Sequence, residues 1–265
     1  MNDTAIASVA PSRVFCALLL RDVTVARREL PYFLVRTTLQ PLLFVIVFGF
    51  LLPRMGLIPR GYTTTMLPGI LALSLTFSAV QSVALPMVQD FGWTKEIEDR
   101  LLSPVAIELV AGEKIVAGLL QGIVASIFVL PMARLIMGPI PGLTFSRIGT
   151  LLLVTTLGGA AFSAIGLFLG TAIAPQQIGL MFSVILAPMI MFGCTYYPWK
   201  GLDRVPVLKY LVLVNPLVYV AEGMRAALTP AVAHMPLAAI LAALVVLTAL
   251  FTCFGLRSFD RRAMS

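Results

Sequence analysis

The chain has 265 residues, of which 59% are hydrophobic and only 12% charged, and its mean hydropathy is +0.99. A soluble core cannot absorb that much apolar surface, so the composition predicts an integral membrane protein. The formal net charge is +7, but the basic residues lie scattered at the borders of apolar segments, which disfavours nucleic-acid binding. Three cysteines without CxxC spacing and a single histidine, His234, predict neither a disulfide framework nor a metal site.

The segment before the first long apolar run is predicted to be an amphipathic helix. Its opening, MNDTAIASVAPSR, does not have the pattern of a cleavable signal. In the following SRVFCALLLRDVTVARRE, the apolar residues Val14, Phe15, Leu18 and Leu19 fall near one helical face, with charges on its flanks. This pattern is typical of a helix lying along the inner membrane interface. Because the apolar face is short, a frayed polar tail is the alternative.

Six apolar stretches are long enough to cross roughly 30 Å of hydrocarbon as helices. They run from about Phe33 to Leu52, Thr65 to Pro86, Ile115 to Met137, Ile148 to Ala172, Ile178 to Tyr196 and Pro236 to Leu256. Six spans place both termini on one side, which then holds eleven of the 19 Lys and Arg residues. The clusters in ARRE and FDRRAMS flank the first and last spans, where the positive-inside rule has most weight. We therefore predict an all-α membrane domain over residues 1–265 with both termini in the cytoplasm.

The stretch QDFGWTKEIEDRLLSPVAIELVAGEK, Gln89 to Lys114, is the most highly charged part of the chain and separates spans two and three. Its nine charges are Asp90, Lys95, Glu96, Glu98, Asp99, Arg100, Glu108, Glu113 and Lys114. We predict a short cytoplasmic helix near Trp93 to Leu102, ended by Pro104, with an apolar stripe that includes Ile97 and Leu101. Such a stripe suits the groove of a partner protein. A solvated loop on the membrane surface is the alternative, although anionic lipid would repel its six acids.

Span four contains a stripe of small residues along one side of its helix. Gly159, Ser163, Gly166 and Gly170 recur at spacings of four, three and four. Small residues let helix backbones approach closely where lipid provides no hydrophobic drive. Packing within a single bundle is the favoured interpretation, and packing between subunits is the alternative.

The segment NPLVYVAEGMRAALTP, Asn215 to Pro230, is predicted to contain a helix that does not cross the membrane. Asn215 is a good N-cap and Pro216 suits the first helical turn. Glu222 and Arg225 are three residues apart and can pair across one turn. Because a charge pair at mid-membrane is costly, we expect this helix to dip into the outer leaflet only.

Several enzyme and pump signatures are missing from the sequence. It contains no Gly-Lys pair, so it has no P-loop for ATP, and it contains neither a GxSxG elbow nor an HExxH motif. The spans lack the paired acids of a proton relay, which disfavours an ion-coupled transporter.

These features together resemble the membrane subunits of ABC-2 type exporters, the permeases of daunorubicin-resistance-like and polysaccharide-export ABC transporters. The resemblance rests on the six-span layout and on three motifs in order. They are LPGIL at Leu67 to Leu71, EIEDRLLSPV at Glu96 to Val105, and NPLVYVAEGMRAAL at Asn215 to Leu228. It extends from about Arg13 to Arg262.

The resemblance implies a role for each of the two polar segments. The loop between spans two and three would carry a coupling helix that docks on an ATPase subunit, with Glu96, Glu98, Asp99, Arg100 and Pro104 at or beside the contact. The segment with Asn215, Pro216, Glu222 and Arg225 would belong to re-entrant outer helices that gate the exit. The family works as a dimer of two six-span subunits with two ATPases. ATP and Mg would be bound by the partner, and no cofactor is expected in this chain.

We interpret the chain as a non-catalytic permease of an ATP-driven exporter in the bacterial plasma (inner) membrane. The predominance of aliphatic residues in the spans favours a lipophilic small molecule or a lipid as substrate. A lipid-linked glycan is second, because Tyr196, Tyr197 and Trp199 could stack on sugars but are equally well explained as an interfacial aromatic belt. A non-transporting membrane scaffold has the same topology and stays open, as do homodimer versus heterodimer and export versus import.

Overall fold

The computed structural model describes residues 11–59, 61–91, 106–139 and 143–263. Within these ranges every regular element is a helix. The helices are α1 Pro11–Arg28, α2 Leu30–Arg54, α3 Tyr62–Gln89, α4 Ile107–Met137, α5 Ile148–Ala172, α6 Pro175–Met191, α7 Pro206–Val214, α8 Pro216–Leu228 and α9 Leu237–Ala263. A 3₁₀ turn, Trp199–Arg204, precedes α7. The predicted coupling helix, Trp93 to Leu102, lies outside the described residues.

Five of these helices are long and apolar enough to cross a membrane: α2, α3, α4, α5 and α9. A sixth span results only if α7 and α8, which meet at an angle of 100°, are counted as one broken span rather than a re-entrant loop. The predicted fourth span agrees with α5 at both ends. α4 ends at Met137, as the predicted third span does, and starts at Ile107, eight residues before the predicted start at Ile115.

The predicted fifth span, Ile178 to Tyr196, is wrong at its end. The corresponding helix α6 stops at Met191 and is followed by a turn. At 1.5 Å per residue its 17 residues extend about 26 Å, less than the roughly 30 Å of hydrocarbon. A helix could not continue to Tyr196, because Cys194 has a positive φ of 52°, a left-handed conformation that a helix cannot contain.

α3 is the central helix of the bundle. Over an apolar stretch of 18 residues in α3, 78% of the residues are buried, whereas over a stretch of the same length in α9 only 11% are buried. The small residues of α5 lie against α3 and α4: a Cβ on Gly166 would be 2.8 Å from the Val80 carbonyl oxygen, and one on Gly170 would be 2.8 Å from the Met87 Cβ. A Cβ on Gly159 would meet Leu119 of α4 at 2.5 Å. This geometry supports packing within one bundle.

α1 packs alongside α4. Its Leu18 lies against a buried cluster that includes Met87 and Phe259.

Lys114 of α4 forms an ion pair with Asp22 of α1 and lies 3.6 Å from the Glu113 carboxylate. A polar stretch between two apolar spans is expected to face water or a partner protein. Lys114 and Glu113 are instead buried inside the protein, so this expectation is wrong for these two residues. The place of α1 at a membrane interface stays a prediction.

The close approach of α5 to α3 predicts that Gly166→Ala destabilises the bundle. The new methyl would collide with backbone that cannot move aside, so we expect the melting temperature in detergent to fall by about 5 °C, as about 2 kcal/mol of overpacking gives in a chain of this size. Gly112→Ala in α4 is the matched control, because a Cβ there meets nothing within 4 Å. Equal melting temperatures for the two variants would contradict close packing at Gly166.

Candidate functional site

The candidate site lies at the end of the bundle where α3 begins, and α7 and α8 form its outer part. Asn215 separates these two helices and has an extended backbone, with φ of −83° and ψ of 116°. Its Oδ1 accepts a hydrogen bond from the Leu217 amide at 3.0 Å, and its Nδ2 donates to the Met189 carbonyl of α6 at 2.7 Å. With Pro216 at the first helical position, Asn215 caps α8. One side chain thus begins α8 and also fixes it to α6.

Glu222 and Arg225 form an ion pair one turn apart on α8. The Arg225 Nη1 lies 2.5 Å from the Glu222 Oε1, and neither side chain has any exposed surface. A charge in such a place is tolerated only if it is paired and its remaining hydrogen-bonding capacity is used.

Backbone groups from four other segments supply those hydrogen bonds. Arg225 donates from Nε and Nη2 to the Thr65 carbonyl in α3, each at 3.2 Å, and from Nη2 to the Cys194 carbonyl at 3.0 Å. Glu222 accepts from the Trp199 amide at 2.9 Å and from the Met235 amide at 2.7 Å. We call this set the Glu222–Arg225 network. It joins α8 to the start of α3, to the turn after α6, to the 3₁₀ turn and to the residues just before α9.

The turn after α6 is held against the start of α3 by two further contacts. The Tyr62 hydroxyl donates to the Tyr196 carbonyl at 2.6 Å. A Cβ on Gly69 would lie 1.9 Å from the Thr195 carbonyl oxygen, so only glycine allows the turn to approach this closely. Burial raises the pKa of the Cys194 thiol to about 12, with Glu222 adding to the rise and Arg225 opposing it.

The aromatic residues near this turn are engaged in contacts within the chain. The ring of Tyr196 lies 4.9 Å from that of Phe44 and 5.5 Å from that of Phe48, centroid to centroid. Trp199 donates from its indole nitrogen to the Lys209 carbonyl at 3.0 Å, and the Lys209 ammonium lies 4.3 Å from the centre of the Trp199 ring. Both rings therefore contribute to packing at this end of the bundle.

The structure brings together only one of the two predicted polar segments. Asn215, Pro216, Glu222 and Arg225 lie together on and before α8, whereas Glu96, Glu98, Asp99, Arg100 and Pro104 lie outside the described residues. No sequence pattern indicates the partners of this pair, because they contribute backbone groups, which every residue type carries. These partners are Thr65, Cys194, Trp199 and Met235. Within the described ranges no three His, Cys, Asp or Glu side chains come close enough to hold a metal ion.

One comparison with known proteins identified a family. The sequence model of the family described as ABC-2 type transporter matches residues 13–229. The matched region begins in α1 and ends one residue after α8, so it contains both members of the buried ion pair. A comparison with curated proteins gave no match.

The two hydrogen bonds of Asn215 predict a graded response to substitution. Asn215→Ala removes the cap and the bond to Met189, at about 1 kcal/mol each, so we expect a melting temperature about 4–8 °C lower. Asn215→Ser keeps a capping oxygen but cannot reach Met189, and about half of that loss is expected. Thermal unfolding of the purified variants in one detergent measures this order. A serine variant that melts with the alanine variant would show that the cap contributes nothing.

Proposed function

The chain belongs to the ABC-2 type transporter family, and from this premise we propose that it is the permease of an ATP-driven exporter in the bacterial plasma membrane. The observation that carries the proposal is the family match over most of a chain whose helices are long and apolar enough for a multi-pass membrane protein. ATP and Mg are assigned to a separate ATPase subunit, since this sequence contains no Gly-Lys pair for a P-loop.

The ATPase is proposed to dock on the segment between α3 and α4. Residues Glu96, Glu98, Asp99, Arg100 and Pro104 belong to the motif that resembles the coupling helix of this family. The helices on either side of the segment support the assignment, because α3 and α4 pack closely through Gly122, whose Cβ would lie 2.7 Å from the Leu75 carbonyl oxygen. A force applied to the segment would therefore act on both helices together. Two such subunits, identical or different, would form the complete permease.

The outer helices are proposed to gate the exit as a unit with α3. Because Arg225 is bonded to the Thr65 carbonyl, α8 would follow any displacement of the start of α3. Movement of whole helical groups between two packed arrangements is a common way of transmitting such a change. In this proposal, closing the ATPase at one end of α3 rearranges α7 and α8 at the other.

A lipophilic small molecule or a lipid is the favoured substrate. The ring of Tyr196 stacks on Phe48, and the Lys209 ammonium lies over the ring of Trp199. One face of each ring is therefore already covered and is not available for stacking on a sugar. This observation supports the lipophilic substrate over a lipid-linked glycan, which stays the second candidate.

Affinity purification of the tagged chain from membranes in mild detergent tests the proposal. We expect an ATP-binding subunit to accompany the native chain. The charge-swapped variant Glu98→Lys with Arg100→Glu should recover about tenfold less of it, because like charges would then face each other across the contact.

A matched control is a charge swap in the ion pair between Asp203 and Lys209, whose side chains are 2.6 Å apart near α7. Asp203→Lys with Lys209→Glu should leave recovery of the ATPase unchanged. A native chain that purifies alone at good yield, even after crosslinking, would refute the permease assignment and favour the membrane scaffold.

A further inference from the structure

A charged cavity lies at the opposite end of the bundle from the Glu222–Arg225 network. It is lined by residues of α1, α2, α3 and α4, and its volume is about 550 Å³. Its charged lining residues are Arg21, Arg36, Lys114, Asp22, Glu29 and Asp90. Lys114 and Asp22 already pair with each other, whereas Glu29 and Arg36 have exposed side chains at the cavity.

An apolar groove of about 360 Å³ continues from this cavity along the outside of α4. Ala26, Phe33 and Gln121 line both spaces, so the two are contiguous. Beyond them the groove is walled by the apolar residues Val23, Leu30, Ala117, Leu120 and Val124, and one charged residue, Arg27, also lines it. From Lys114 to Val124 the combined site extends about 15 Å along α4.

The groove is open on its outer side. Val23, Leu30, Leu120 and Val124 are each between 36% and 43% exposed. In a chain that spans a membrane, an apolar groove next to a charged cavity at the end of the helices faces both the hydrocarbon and the headgroup region. A ligand that fills both spaces must be charged at one end and apolar at the other.

We propose that the cavity and the groove together bind one phospholipid whose headgroup carries both a phosphate and an ammonium group, such as phosphatidylethanolamine. The guanidinium of Arg36 suits the phosphate, which it can bind through two parallel hydrogen bonds, and the carboxylate of Glu29 suits the ammonium. An acyl chain lies against Leu120 and Val124. Because Glu29 lines the cavity together with Arg36, this headgroup is favoured over a purely anionic one, which has no cation to pair with that carboxylate. A charged cavity next to an apolar groove suits an amphiphile better than it suits the helix of a second protein.

This inference does not depend on the proposed export function, since a lipid site is compatible with a permease and with a scaffold. Its test therefore measures binding rather than transport. The full-length chain is purified in dodecyl maltoside and exposed to traces of three lipids that carry a photoactivatable diazirine in one acyl chain. These are phosphatidylethanolamine, phosphatidylglycerol and diacylglycerol. Labelled positions are mapped by mass spectrometry.

We expect phosphatidylethanolamine to label the Leu120–Val124 region about tenfold more than either other lipid does, the factor that one charge-assisted hydrogen bond supplies. Exposed Leu152 of α5, outside the groove, provides the background level of labelling. Glu29→Gln with Arg36→Gln should reduce groove labelling about tenfold, and Leu120→Trp should block it by filling the groove. The matched controls, Glu108→Gln with Arg54→Gln and Leu152→Trp, should leave groove labelling unchanged.

Three results would overturn the inference. Groove labelling no greater than that at Leu152 would indicate that protein fills the groove, either a second copy or another segment of this chain. Equal groove labelling by all three lipids would show that the headgroup does not determine which lipid binds. Undiminished labelling in the folded Glu29→Gln with Arg36→Gln variant would show that those two side chains do not bind the headgroup. The comparison of lipids on the unmodified chain does not depend on the folding of any variant.

Discussion

The buried ion pair between Glu222 and Arg225 is the constraint on which one end of this structure depends. Removing two charges from water is costly, and the cost is offset here only because backbone groups from four other segments complete their hydrogen bonds. Separating any of these segments from α8 would leave a buried charge without one of its partners. The network therefore determines how the short helix α8 can be placed, although α8 is not long enough to cross a membrane by itself.

The rest of the bundle is consistent with transmission of movement between its two ends. Small residues bring α3, α4 and α5 into backbone contact, and Gly118 of α4 lies against both Val83 of α3 and Ser163 of α5. Helices packed this closely move together more readily than they deform. At the far end, Lys114 joins α4 to α1 through Asp22. In the proposed exporter, these contacts connect the segment that docks the ATPase with the Glu222–Arg225 network.

The sequence predicted the features that local chemistry determines. Both ends of α5 and the start of α8 at Asn215–Pro216 follow from apolar length and capping residues. The end of α6 does not, because the turn at Cys194 is fixed by distant contacts with Gly69 and Arg225. The burial of Glu113 and Lys114 could not be predicted for a related reason. A run of charged residues indicates a polar segment but not which distant residue will pair with it. The ion pair that allows Lys114 to be buried comes from Asp22, 92 residues earlier.

A double-mutant cycle on the buried pair tests the central claim most directly. The melting temperatures of the native chain, Glu222→Gln, Arg225→Met and the double variant are compared in one detergent. Each single variant should be strongly destabilised, since breaking a buried pair costs about 3–5 kcal/mol. The double variant should lose less than the sum of the two, by about 1–3 kcal/mol, because it leaves no charge unpaired. Strictly additive losses would contradict the account, since they would mean that the two side chains act independently.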